Sequence, residues 1–146
     1  MRRRVRAGVL LVIVVIVGLV VHGVLPESAF AEIAGDALYV GAAYLALVVV
    51  LPRLRPWIVG SIALAWAAGV ELLQLTGVPQ QVGAVFPPAV LLLGTAFDAR
   101  DLIVYIVAAV VVTAIDGLWA RRAATATPDQ APRAPSLDAT PDLPET

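Results

Sequence analysis

The chain has no cysteine, no lysine and one histidine among its 146 residues. Without cysteine there is no disulfide, no thiolate nucleophile and no cysteine-held metal. Without lysine there is neither a Schiff-base amine nor a phosphate loop ending in lysine. His22 stands alone, so a zinc site would need an unusual all-carboxylate supporting set. The serines are Ser28, Ser61 and Ser136, and none is placed to complete a triad with His22 and an acid. Charge is scarce as well: 14% of the residues are charged and the formal net charge is -1. No basic surplus exists to hold nucleic acid. No catalytic motif stands out, so an enzyme is not the expected reading, and no cofactor is implied.

Apolar residues are abundant. They make up 60% of the chain, and the mean hydropathy is +0.91. Soluble domains run at about 45–50% apolar and about 25% charged. This balance predicts an all-α integral membrane protein.

Residues 7–26 carry no formal charge at neutral pH, and Val9–Val21 is almost wholly Val, Ile and Leu. A hydrocarbon layer of about 30 Å needs about 20 such residues as helix. The pattern predicts four spans over residues 7–25, 33–51, 56–76 and 101–120. Pro56 suits the first turn of the third. Between the third and fourth lies an apolar stretch, residues 84–97, containing Pro87, Pro88 and Gly94. As a helix it reaches only about 21 Å at about 1.5 Å per residue. It reads as a re-entrant or interfacial segment, with a thinned fifth span as the alternative. Residues 1–122 thus form a membrane domain, a four-helix bundle. Residues 123–146 are rich in Ala, Thr, Pro and Asp and read as a disordered cytoplasmic tail.

With four spans, Arg2, Arg3, Arg4, Arg6, Arg53, Arg55, Arg121 and Arg122 all fall on one side, while Glu27, Glu32, Asp98 and a lone Arg100 fall on the other. The positive-inside rule then places both termini in the cytoplasm of a plasma-membrane protein. Five spans would put Arg121 and Arg122 outside. The run Ala29-Phe30-Ala31 after an Arg-rich start and an apolar run also fits a signal-peptide cleavage site, which would leave three spans.

Polar groups within spans are expensive and usually face a partner or cavity. Here His22, Asp36, Glu71, Gln74, Asp98, Arg100 and Asp101 map to the outer end. Glu71 and Gln74 share a helix face, as do Asp101 and Tyr105, and Asp36 and Tyr39. The candidate cluster is Asp36, Glu71, Gln74, Asp98, Arg100, Asp101 and Tyr105. Two readings stay open. The cluster is an outward pocket whose carboxylates bind a cation, a cationic head group or a proton. Alternatively Arg100 pairs with Glu71 or Asp101, and Gln74 and Tyr105 complete a network that glues the helices. Asp36 and Asp101 also suit helix N-termini, as caps or first-turn acids. Asp116 is expected to pair with Arg121 or Arg122. Trp57 and Trp119 fit an interface belt and Trp66 mid-span packing. Gly60, Ser61, Ala65, Ala68 and Gly69 suggest a small-residue surface for close helix contact, and Gly35, Gly41, Ala42 and Ala43 suggest a second.

Four runs in this order, Gly35-Asp36-Ala37-Leu38-Tyr39, Glu71-Leu72-Leu73-Gln74-Leu75, Leu93-Gly94-Thr95-Ala96-Phe97 and Asp101-Leu102-Ile103-Val104-Tyr105, resemble the small bacterial membrane family catalogued as domain of unknown function 2809. The resemblance covers about residues 8–118 and implies about four spans. Some members carry a ribosomal-maturation label. A more distant similarity is to VanZ-like proteins, associated with glycopeptide resistance; where their pattern has Asn and Gly after the Asp of the last span, this chain has Tyr105 and Ala108. The functional expectations are a binding or accessory protein for a cell-envelope or lipid-linked component, a small proton- or cation-coupled transporter, or a structural partner subunit without ligand. The expected partners are the lipid bilayer, an envelope lipid or small cationic ligand, and another membrane protein, with no nucleic acid.

Overall fold

The structure, a computed structural model, describes residues 2–26, 28–94 and 96–125. Among the described residues six α-helices follow one another: α1 (Arg2–Val24), α2 (Ala29–Val50), α3 (Pro56–Gln74), α4 (Val78–Val85), α5 (Val90–Leu93) and α6 (Ala99–Thr125), with a 3-10 turn at Pro87–Ala89 between α4 and α5. Among the described residues α1, α2, α3 and α6 are long and apolar enough to cross a membrane. The polypeptide is all-α, with the short helices inserted between the third and fourth spans.

Local chemistry sets the helix ends. Ser28 is extended and its Oγ accepts from the Ala31 N–H, so α2 starts at Ala29. This start precedes the sequence expectation, and it leaves Asp36 inside the helix rather than at its cap. Ala29-Phe30-Ala31 forms the first turn of α2. Pro56 opens α3 after extended Arg55. At the start of α6, Asp98 rather than Asp101 is the cap: its Oδ1 accepts from the Arg100 N–H at 2.8 Å. Asp101 lies in the first turn. α6 continues to Thr125, past the expected end of the span. The rest of the expected tail lies outside the described residues.

Spacing of about 3.6 residues per turn aligns the buried positions. On α2 they are Val40, Tyr44 and Val48, and on α3 Val59, Gly60, Ala63, Ala67, Val70, Glu71 and Gln74. Tyr105 and Ala109 are the corresponding pair on α6. Gly60 matters for the α3–α6 approach, because a Cβ there would meet the Thr113 side chain. The other small residues expected on that surface do not share its role: Ser61, Ala65 and Gly69 are exposed.

Two core clusters result. Tyr44, Val48, Val59 and Ala63 with Ala7 fill the half near the chain start. Val40, Ala67, Tyr105 and Ala109 fill the other half. α2, α3 and α6 pack on one another, whereas the α1 backbone packs on α2 and approaches α6 only through the Arg3 side chain. The helix ends carrying Arg3, Arg53, Arg55 and Arg122 form a basic end; Glu32, Asp98 and Asp101 mark an acidic end. The α4–α5 segment leaves α3 at the acidic end and returns there, as the Asp98 N–H donates to Glu71 Oε1 at 2.6 Å.

Candidate functional site

The acidic-end site is built on the last turns of α3. Glu71 is fully buried, with 0% exposure. A buried carboxylate needs donors on its oxygens. Oε1 takes the backbone N–H of Asp98, and Oε2 takes the Tyr105 hydroxyl at 3.2 Å. One turn on, the Gln74 side-chain amide donates to the Leu93 carbonyl at 2.8 Å. Its own oxygen is buried and has no hydrogen-bond partner among the described residues. Glu71 and Gln74 thus grip the two ends of the stretch that joins α5 to α6.

Gly94 makes that grip possible. Its φ of 65 and ψ of -169 lie in a region essentially open to glycine alone. A Cβ there would also run into the Gln74 side-chain nitrogen. Deeper along the helices, the Tyr39 hydroxyl donates to the Leu92 carbonyl at 3.0 Å and accepts from the Trp66 indole N–H at 2.9 Å. The Tyr39 and Tyr105 rings lie 6.4 Å apart between centroids. Trp66 is therefore a hydrogen-bonding residue, half exposed, rather than only packing.

Asp36 and Asp101 lie on the packed helices α2 and α6, close enough for their carboxyl groups to interact. Both are part-exposed. Arg100 does not join them. Its guanidinium pairs with Glu32 at 2.6 Å on the surface, instead of with Glu71 or Asp101. The reason is reach: the first turn of α2 extends far enough to offer Glu32, so Arg100 keeps its charge in the polar layer. Of the seven sequence candidates, Asp36, Glu71, Gln74, Asp101 and Tyr105 come together. Asp98 contributes its backbone and its cap, and Arg100 stands at the rim. His22 is exposed and apart. Among the described residues no three His, Cys, Asp or Glu side chains form a metal-holding group.

A second polar centre lies at the basic end. Asp116 pairs with Arg3 at 2.6 Å, not with Arg121 or Arg122. Arg3 binds through Nε and one terminal nitrogen, while its other terminal nitrogen donates to the Pro52 and Leu54 carbonyls at 2.8 and 2.7 Å. The Tyr44 hydroxyl donates to the same carboxylate at 2.6 Å. The signal for this centre was one acid, Asp116, among arginines; its partner was hidden because helix rotation, not sequence distance, brings Arg3 there.

Four apolar helices, a folded-back short segment and buried carboxylates satisfied within the bundle define an integral membrane protein. The family described as Protein of unknown function (DUF2809) matches residues 25–109, more than half of the chain, and this protein belongs to it. The match contains all seven acidic-end candidates; Arg3 and Asp116 lie outside it. No curated protein and no solved structure matches the chain.

Proposed function

We propose that this is a non-enzymatic binding protein of the bacterial cell envelope, with its ligand site at the Asp36–Asp101 pair. The observation that carries this reading is the meeting of two part-exposed carboxyl groups on the packed helices α2 and α6. Like charges that close demand a proton, a cation or a donor group between them. A cationic head group on a lipid or lipid-linked envelope component supplies such a group. Glu71 and Gln74, which are buried, hold the stretch that joins α5 to α6 and do not touch ligand. The acidic end faces outward and both termini lie in the cytoplasm, because the arginines gather at the opposite end.

The test is thermal stability of the purified protein with vesicles bearing a cationic-head-group lipid. Saturating ligand raises wild-type stability by about 2.7 kcal/mol at a hundredfold excess over Kd. Asp36→Asn and Asp101→Asn should lose that rise, while Glu71→Gln keeps it. An unchanged melting curve for the wild type would retire the proposal. The need for a shared proton also favours a second reading, a proton-coupled carrier. Dissipation of a pH gradient in proteoliposomes by wild type but not Asp101→Asn would select it. The closed hydrogen bonding of Glu71 favours a third, a ligand-free structural subunit, which predicts neither result. Orientation is checked by a reporter fused after Arg122, expected to be active only in the cytoplasm.

A further inference from the structure

We propose that the wedge between α1 and α6 at the basic end binds one two-chain anionic phospholipid. The α1 and α6 backbones both pack on α2 but not on each other, meeting only through the Arg3–Asp116 pair, and the gap between them is a cavity of 880 Å³. That size falls within the about 300–1,000 Å³ of small-molecule sites. Its walls are apolar: Leu10 and Val14 from α1, Leu45 and Val48 from α2, Val112 and Ile115 from α6. A second cavity of 330 Å³ is lined by Val5 and Val9 and shares Arg6, Leu10 and Trp119 with the first. Two apolar grooves thus converge on one arginine, which is the layout of a head group with two acyl chains.

Charge selects the head group. Arg3 and Asp116 line the larger cavity but neutralise each other. Arg6 and Arg122 also line it, are exposed, and make no side-chain hydrogen bond or ion pair among the described residues. The mouth is therefore left with two unspent guanidinium groups, and guanidinium forks match phosphate oxygens bidentately. Trp119, half exposed beside them, suits the depth of the head groups. A neutral or zwitterionic lipid leaves part of this charge unanswered, and a soluble phosphate leaves the grooves unfilled.

The test is native mass spectrometry of the intact protein, delipidated in detergent and offered equal amounts of phosphatidylglycerol and phosphatidylcholine. Wild type should retain one phosphatidylglycerol in clear preference. The exposed double change Arg6→Gln/Arg122→Gln should lower that retention about 30-fold, the worth of two arginines near an anionic surface. Leu10→Trp, which fills the junction of the grooves and leaves the charge intact, should also abolish it. Melting curves confirm that each variant is folded; should Leu10→Trp unfold the protein, failure of a single-chain lysophosphatidylglycerol to compete equally serves in its place. Equal retention of both lipids, retention unchanged in the double variant, displacement by inorganic phosphate alone, or a dimer that excludes lipid overturns the proposal.

Discussion

The two polar centres sit at opposite ends of the same helices and solve one problem in different ways. Each has a carboxylate that takes a tyrosine hydroxyl from a neighbouring helix: Tyr105 on Glu71, and Tyr44 on Asp116. They differ in the second donor. Glu71 takes a backbone N–H from the loop before α6, whereas Asp116 takes the Arg3 guanidinium. A backbone donor is placed by dihedral angles, so the acidic-end centre depends on the conformation of an entire segment. A guanidinium on a flexible stem finds its carboxylate over a range of helix positions. The acidic-end centre therefore fixes a loop, and the basic-end centre ties down a terminus.

The largest effect is expected where the dependence on backbone is greatest. Glu71→Leu strands the Asp98 N–H and the Tyr105 hydroxyl and should destabilise the bundle by about 2–5 kcal/mol; Glu71→Gln, which keeps an acceptor, should cost much less. Thermal unfolding in detergent measures both, and equal losses would mean that charge rather than hydrogen bonding holds the site. Gly94→Ala comes next, at about 1–3 kcal/mol, from its forced dihedrals and the collision with Gln74. Its signature is local: hydrogen exchange should quicken over residues 78–94 and little elsewhere.

At the basic end, Arg3→Gln and Asp116→Asn should each cost about 1–2 kcal/mol, between the values for exposed and buried pairs. The double change should cost less than the sum, since neither charge is then left alone. Strict additivity would dismiss the pair as a stabilising link. The chain has no cysteine of its own, so a cysteine pair introduced in α1 and α6 reports their separation without background. The smallest effect belongs to Tyr39→Phe, about 1 kcal/mol from the lost bond to Leu92 and the lost acceptor for Trp66.

Four helices and the inward face of Glu71 and Gln74 were legible in the sequence, because both are statements about one helix and its period. The turn-back of the chain between α3 and α6 was legible from Pro87, Pro88 and the short apolar run. Partner choice was not. Arg100 has Asp98 and Asp101 as sequence neighbours yet pairs with Glu32; Asp116 has Arg121 and Arg122 yet pairs with Arg3. Neighbours on a helix are fixed by spacing, but contacts between helices depend on rotation and on how far each helix extends. The cap reading of Asp36 fails for the second reason: Ser28 starts α2 early enough to carry Asp36 inside it. Nothing in its own helix foretells that Trp66 meets a phenol on α2.

The Arg3–Asp116 link joins residues 113 apart. At a synthesis rate of about 5–20 residues per second, the arginine precedes its carboxylate by on the order of ten seconds. During that interval α1 has only α2 to lie against, and the Arg3 guanidinium has no counter-ion within the bundle. Until α6 is made, the partners open to the Arg3 side chain are the Pro52 and Leu54 carbonyls of the loop before α3. The guanidinium therefore gains its counter-ion only in chains whose last span has been made, so the two ends of the membrane domain are joined last.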